Sequence, residues 1–581
     1  MDNSRTINTS QSSDLVSYTI LIEGSEIPET HQLKSITVEK EINRIPFAQL
    51  IFFDGEAAQQ DFSLSNEELL IPGKEIEIKA GYHNDEETIF KGIIIKHSLK
   101  IRDTSSVLMV ECRDKAVKMT VGRKSAYFYD SSDSDIIEEL VGYSGLQSDV
   151  EATSLQHKEM VQYQASDWDF IMTRAQVNGR IAVVNDGKIT VKKPDFNQEP
   201  IETVAFGATL LNFDAEIDAR NQFSTITSYG WNPADQELVE TEAADPSVRL
   251  NGNISVSDLT GVIDLDNLAL KHGGNTISTA LQAWSDAKAL FQQMSKTRGT
   301  VKFQGIPEVL PGTMLNLEGV GDRFSGKIYI SAVRHTLSDG NWTVDAQFGI
   351  NPKWFSETYD ISQLPAAGLL PAINGLHIGI VTKLEEDPDG EDRIHVKIPI
   401  INNEEQGIWA RVASLDAGEN RGAFFRPEIE DEVIVGFIND DPNQAVVLGM
   451  LHSSAKPAPI VASDDNHEKG FITRSEIKLL FDDDKISVKI ETPGGKIFTM
   501  DDDTGVITIE DDNNNLVTLN SDGISLESGK DIILKATGDI NMEGTNINIA
   551  ANAQFKAEGS AGAEISTSAV AVLKGSLVQI N

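Results

Sequence analysis

Between residues 16 and 101, polar and apolar residues alternate between turn signals, as in Glu75-Ile76-Glu77-Ile78-Lys79 and Thr88-Ile89-Phe90. A period of two predicts half-buried antiparallel strands. The period changes near Asp133. Asp135 is the expected N-cap, Glu138 follows three residues on, and Ile136, Ile137, Leu140 and Val141 supply an apolar stripe, which together predict a helix. A second helix is expected after Ser166, with Trp168, Ile171, Met172 and Ala175 on one face and Gly179 as its C-terminal cap. Residues 181–184 and 188–191 then flank Asn185-Asp186-Gly187, a hairpin composition. The expectation is a small α/β insertion over 126–200 between two strand-rich stretches, 15–125 and 201–352, the second interrupted by a helix around 279–295.

Those two stretches echo one another. Leu70-Ile71-Pro72-Gly73, an alternating strand and Phe90-Lys91-Gly92 are matched by Leu310-Pro311-Gly312, an alternating strand and Phe324-Ser325-Gly326. Two related β-barrels are expected. A Pro- and Gly-containing stretch closes them off as a linker over 353–375. Residues 376–455 read as a compact barrel of five or six strands, a size that suits the oligonucleotide/oligosaccharide-binding type. A second linker is expected over 456–480.

From about Ile497 onward the chain has no Pro, Cys, Trp or Tyr, and after Phe498 the sole aromatic is Phe555. Short apolar-x-apolar units begin at Val517, Ile524, Ile532, Ile540, Ile547 and Phe555, in steps of 7 or 8, with Gly523, Gly529, Gly538 and Gly544 between them. Octads are too short to enclose a core within one chain, since a one-chain solenoid needs wide coils. Three chains, each giving one face of a triangular prism, solve this, so 481–581 is expected as an intertwined triple-stranded β-helix in a homotrimer. Free strand edges would then be paired between chains.

Composition narrows the function. With 49 Lys+Arg against 90 Asp+Glu, the net charge is −41, and such a field repels phosphate backbones, so no nucleic-acid partner is expected. A single cysteine, Cys112, rules out an internal disulfide and fits a reducing compartment. Residues 1–14 lack the basic and apolar regions of a secretory signal and are expected as a flexible N-terminus. Synthesis in the cytoplasm without a signal peptide, followed by export as part of a particle, is the expected route.

Three passages carry a family resemblance. They are the barrel text Gly379-Ile380-Val381, Trp409-Ala410-Arg411-Val412, Asp431-Glu432-Val433-Ile434-Val435-Gly436-Phe437 and Val447-Leu448-Gly449; the hub-like Val161-Gln162-Tyr163 with Ser166-Asp167-Trp168; and Ile477-Lys478-Leu479-Leu480-Phe481-Asp482 before the needle. In this order they resemble the VgrG spike family of contractile injection systems (type VI secretion or phage tail-like particles), which joins a phage baseplate hub to a tail-spike needle. The resemblance implies a trimer whose paired hub barrels match a hexameric inner tube protein, contacts with baseplate proteins, possible effector cargo, and mechanical puncture of a target membrane. It also implies that Leu577, Val578, Ile580 and Asn581 at the needle end seat a PAAR-type tip protein.

Catalytic chemistry is not expected. The ten His are scattered, with no zinc spacing, nucleophile elbow or phosphate loop. No cofactor and no metal is expected, and Asp482-Asp483-Asp484 and Asp501-Asp502-Asp503 read as solvated corners. The alternatives are a trimeric adhesin or tail-fibre-like protein, which has no need of hub barrels, and a β-solenoid enzyme acting on polysaccharide, which needs wider coils.

Overall fold

The computed structural model describes residues 15–580 apart from Glu29 and Thr104; the expected flexible start and Asn581 lie outside the described residues. The chain divides into two compact units at Ala372/Ile373.

In the first unit, alternation does produce antiparallel strands, but they are not sorted into two separate barrels. One thirteen-stranded hydrogen-bonded sheet runs through both halves, with the strand Gly326–Ser338 of the second half paired to Leu33–Glu41 of the first. Two apolar cores sit on it. One is built on Ile36, Leu50, Phe52, Ile78, Phe90 and Leu108, the other on Val301, Phe303, Leu315, Ile330 and Phe348. The halves share a sheet because the core-facing residues of Gly326–Ser338 serve both: Val333 faces the second core and Leu337 the first.

The echo between the halves extends to individual hydrogen bonds. Gly73 N–H donates to Ile94 O (2.9 Å) and Ile94 N–H to Lys74 O (2.9 Å); Gly312 N–H donates to Ile330 O (2.8 Å) and Ile330 N–H to Thr313 O (2.9 Å). Both glycines have positive φ, +103° and +91°, which admits few other residues. A bulge falls between Ile94 and Lys96 in one half and between Ile330 and Ala332 in the other. Bulges re-aim a strand at a fixed place, so the same bend is built twice.

Between the two cores lies a polar layer. His335, opposite Val38, is fully buried, and neither ring nitrogen has a hydrogen-bond partner. Burial, with the positive charge of Lys40 nearby, lowers its pKa to about 3. Lys40 is itself buried and reaches Asn185 and Asp186 of the insertion hairpin; burial lowers its pKa against the pull of Asp186 and Asp114.

The insertion has its own core around Phe128, Ile137, Val141, Trp168, Ile171 and Val191. Its first helix, Asp133–Tyr143, is capped by Ser132 rather than Asp135, and Asp135 instead completes a capping box from the third helical position. The hydroxyl wins because Ser132 keeps extended backbone while its side chain accepts from Asp135 N–H. The second helix, Asp167–Val177, starts after the Ser166 cap, and Gly179 follows with φ +65°. Asp186 and Gly187, both with positive φ, turn the hairpin Ile181–Asn185/Lys188–Lys192. The stretch expected as a linker over 353–375 opens with a short helix, Phe355–Thr358, whose Phe355 is buried in the insertion core.

The second unit begins with a closed barrel of five strands: His377–Lys383, Ile394–Lys397, Ile408–Val412, Glu432–Phe437 and Ala445–Met450. Numbered in chain order, they run 1-2-3-5-4 around the barrel, and the third and fifth are parallel. Val381, Ile394, Val396, Val433, Val435 and Val447 fill the interior. A seven-stranded antiparallel meander over 468–527 follows.

Candidate functional site

The meander consists of five-residue strands: Glu468–Ile472, Lys478–Asp482, Ser487–Glu491, Ile497–Asp501, Val506–Glu510, Leu516–Asn520 and Gly523–Glu527. It starts within the stretch expected as a linker, and each strand pairs with the next in the same chain. The region from 481 to 527 is therefore not interwoven, as the octad reading expected. The reason is local turn chemistry. Gly495 and Gly505 have φ of +74° and +66°, and Asp511 accepts from the amides of Asn513 (2.8 Å) and Asn515 (3.0 Å). The hydrogen bonds from Asn515 and Asn513 lower the Asp511 pKa to about 2. Each such turn reverses the chain at once, so a strand meets its own neighbour before it can meet another molecule.

Register then decides chemistry. Across the ladder, Phe471, Leu479, Ile490, Phe498, Ile509, Val517 and Leu526 lie in one row. Phe481, Val488, Met500, Ile507, Leu519 and Ile524 form a second row two residues along each strand. Side chains two apart share a face, so one face carries two unbroken apolar rows. The opposite face carries Lys489, Thr499, Thr508, Thr518 and Ser525 down its middle. Among the described residues the apolar face is only partly covered: Ile509 is 50% exposed and Ile524 73%, while Phe498, Val517 and Leu519 are half-buried. An apolar groove of about 610 Å³ runs along it between Ile490, Phe498, Ile509, Val517 and Ile532. Uncovered apolar surface of this extent marks an interaction face.

After Glu527 no strand is paired within the chain through residue 580. The octad residues Ile532, Ile540, Ile547 and Phe555 are all exposed. So are the expected tip-binding residues Leu577, Val578 and Ile580, which lie on the same unpaired segment, with Ile580 86% exposed; Asn581 lies outside the described residues. Sequence reading missed the strands Glu468–Ile472 and Lys478–Asp482, although Phe471, Leu479 and Phe481 already carried their alternation.

Elsewhere, titratable groups hold structure together. Burial pushes the Asp133 carboxyl up, but hydrogen bonds from Arg174, with its charge, and from Asn178 and His157 outweigh this and hold it below the usual range. Burial raises the Cys112 thiol, leaving it un-ionised and unreactive. Among the described residues no group of three or more His, Cys, Asp or Glu is placed to hold a metal ion, and no helix is long and apolar enough to cross a membrane.

Comparison with known proteins matches both units. The Alg8 N-terminal domain family covers residues 12–339, and the type VI secretion system/phage-baseplate injector OB domain family covers 377–452, the span of the five-stranded barrel. The chain is 31% identical over 117 residues (18% of this chain, 11% of the relative) to a Vibrio cholerae type VI secretion spike protein, VgrG3. It is 31% identical over 150 residues (25% of this chain, 20% of the relative) to the Pseudomonas aeruginosa spike protein VgrG1b. These alignments span at most a fifth of the relatives' lengths. Among solved structures, an Escherichia coli type VI secretion component described as similar to bacteriophage T4 tail proteins aligns with 74% of this chain and 99% of its own, at 12% identity and TM-score 0.38. A VgrG bound to PdpA aligns with 88% of this chain and 98% of its own, at 10% identity and TM-score 0.38. With more than half of its length matched by the first family, the chain belongs to the Alg8 N-terminal domain family; its barrel matches the injector OB domain family, and segments of it are similar to VgrG-type spike proteins.

Proposed function

We propose that the chain works as a homotrimeric spike at the tip of the inner tube, joining tube and baseplate to a tip protein and puncturing the target envelope by mechanical force. The observation that carries this reading is the meander's exposed apolar face, continued by a tail that forms no paired strand within the described chain. Backbone N–H and C=O groups of an ordered segment need partners, and further copies of the same chain supply them in register.

Strand width favours three copies. A five-residue strand is about 17 Å wide at ~3.4 Å per residue. Three such faces closed into a triangle put each sheet about 5 Å from the axis, half the ~10 Å at which sheets pack face to face. The two apolar rows then fill the interior. Four faces would stand about 8.5 Å from the axis and leave it hollow at that same packing distance, while two leave both long sides open.

Three copies of a hub that contains one bend built twice present six equivalent strand segments, which supports docking on a hexameric tube protein. The exposed Leu577, Val578 and Ile580, with Asn581 after them, are the proposed seat of a PAAR-type tip. No catalytic role is assigned to the chain, and effector cargo would ride on it. Light scattering tests the reading: three times 63.4 kDa, about 190 kDa, is expected. A stable species of one chain mass at micromolar concentration overturns it.

A further inference from the structure

We infer that the meander over 468–527 is the element that brings three chains together and sets their register, and that the tail over 528–580 pairs only afterwards. This rests on the trimer reading above and adds a division of labour within it. The occupant of the apolar face is a second copy of this chain.

The two segments face very different entropic costs. In the meander the turns of one chain already align the backbone of the next strand, so association adds side-chain packing to a ladder that exists. The tail has no pairing of its own, and ordering backbone costs roughly 1–2 kcal/mol per residue. Over more than fifty residues, that cost is met only once three chains lie side by side. Tails alone are therefore a poor nucleus, just as the first turn is for a helix.

Register points the same way. The tail repeats one motif, Ile532-Ile533-Leu534, Ile540-Asn541-Met542, Ile547-Asn548-Ile549. A slip by one repeat brings Ile onto Ile and loses little. Strands with such repetition specify register weakly. The meander is aperiodic in side-chain size, with Phe471, Phe481, Phe498 and Met500 among Ile, Val and Leu. A slip by one hairpin there sets Phe498 against Val517 or Leu479 in a neighbouring layer and leaves gaps or clashes, which cores tolerate poorly. The strand Gly523–Glu527 ends the meander and is exposed along its whole length, so the tail departs from a position already fixed.

Paired full-length variants test this by light scattering and limited proteolysis. Ile540→Asp with Ile547→Asp, in the tail, is expected to leave a trimer whose residues after Glu527 are cut at least tenfold faster. Phe498→Asp with Ile509→Asp, on the apolar face, is expected to lower the mass threefold, to one chain, with the tail cut equally fast. Thr499→Asp with Thr508→Asp, on the same strands but the opposite face, controls for unfolding and is expected to remain trimeric. A chain ending at Glu527 keeps every hydrogen-bonded strand and is expected to stay trimeric as well. If wild type is trimeric while the tail variant and the truncation are monomeric, the inference falls and the trimer reading stands. Monomeric wild type removes both. Loss of the trimer from the Thr499/Thr508 variant along with the Phe498/Ile509 one overturns the assignment to the apolar face.

Discussion

The meander and the tail are written in nearly the same alphabet, alternating Ile, Leu and Val with Thr, Asn, Asp and Lys, yet one closes its ladder within the chain and the other does not. The difference lies between the strands. In the meander, Gly495, Gly505 and Gly523 all adopt positive φ and Asp511 gathers the amides of its turn. In the tail, none of Gly529, Gly538, Gly544, Gly559, Gly562 and Gly575 is among the positive-φ positions. A corner that does not reverse the chain leaves the next segment without a neighbouring strand of its own. Turn chemistry thus decides whether a β segment completes its ladder within the chain.

The largest expected effect separates the two by function. Ending the chain at Glu527 should abolish binding of a PAAR-type tip protein in a pull-down, and Leu577→Asp with Ile580→Asp in the full chain should weaken it at least tenfold. Unchanged binding would mean the tail is not the seat.

Next come the glycines. Gly505→Val forces a β-branched residue into the left-handed region, at a cost of about 1–2 kcal/mol, roughly a five- to thirtyfold shift in local opening measured by hydrogen exchange across Ile497–Asp501 and Val506–Glu510. Gly538→Ala carries no such φ penalty and should shift exchange less than twofold. Equal effects would erase the distinction in turn chemistry.

Acid gives a smaller effect. The folded-state pKa of Asp511 lies near 2, below the ordinary carboxylate value of about 3.9. The turn's stabilisation is therefore fully present above about pH 4 and lost as pH falls toward 2. Exchange at the Asn513 and Asn515 amides, corrected for intrinsic rate, should rise through that window, and Asp511→Asn should flatten the rise.

The smallest effect is at Ile486, a β-branched residue held at φ +51°. Ile486→Gly relieves that strain at some entropic cost to the unfolded chain and should slow opening of the hairpin about twofold or less. Faster opening would show that the exposed Ile486 side chain is held by packing in the assembly.

Much of the architecture could be read from local pattern. The helix stripe at Trp168, Ile171, Met172 and Ala175 and the hairpin at Asp186-Gly187 are short-range signals, and the barrel's five strands announce themselves by alternation. The echo around Pro72-Gly73 and Pro311-Gly312 was legible because a positive-φ glycine leaves a mark on sequence. The shared sheet of the first unit was not, since Leu33–Glu41 and Gly326–Ser338 pair across nearly three hundred residues and either would serve as a barrel strand alone. The site was half legible. Apolar residues at Leu577, Val578 and Ile580 stood out by type, whereas the point where pairing within the chain stops, after Glu527, rests on turn geometry that alternation does not encode.

The stacking of the meander has a mechanical corollary. Its strands lie across the direction in which they succeed one another, so seven of them at about 4.8 Å spacing form a short column whose rungs are hydrogen bonds. Compression along that column pushes donor toward acceptor instead of parting them, and the mode of failure left to it is buckling. Resistance to buckling comes from whatever is wedged behind the column, which makes the bulky Phe471, Phe481, Phe498 and Met500 bracing as much as glue.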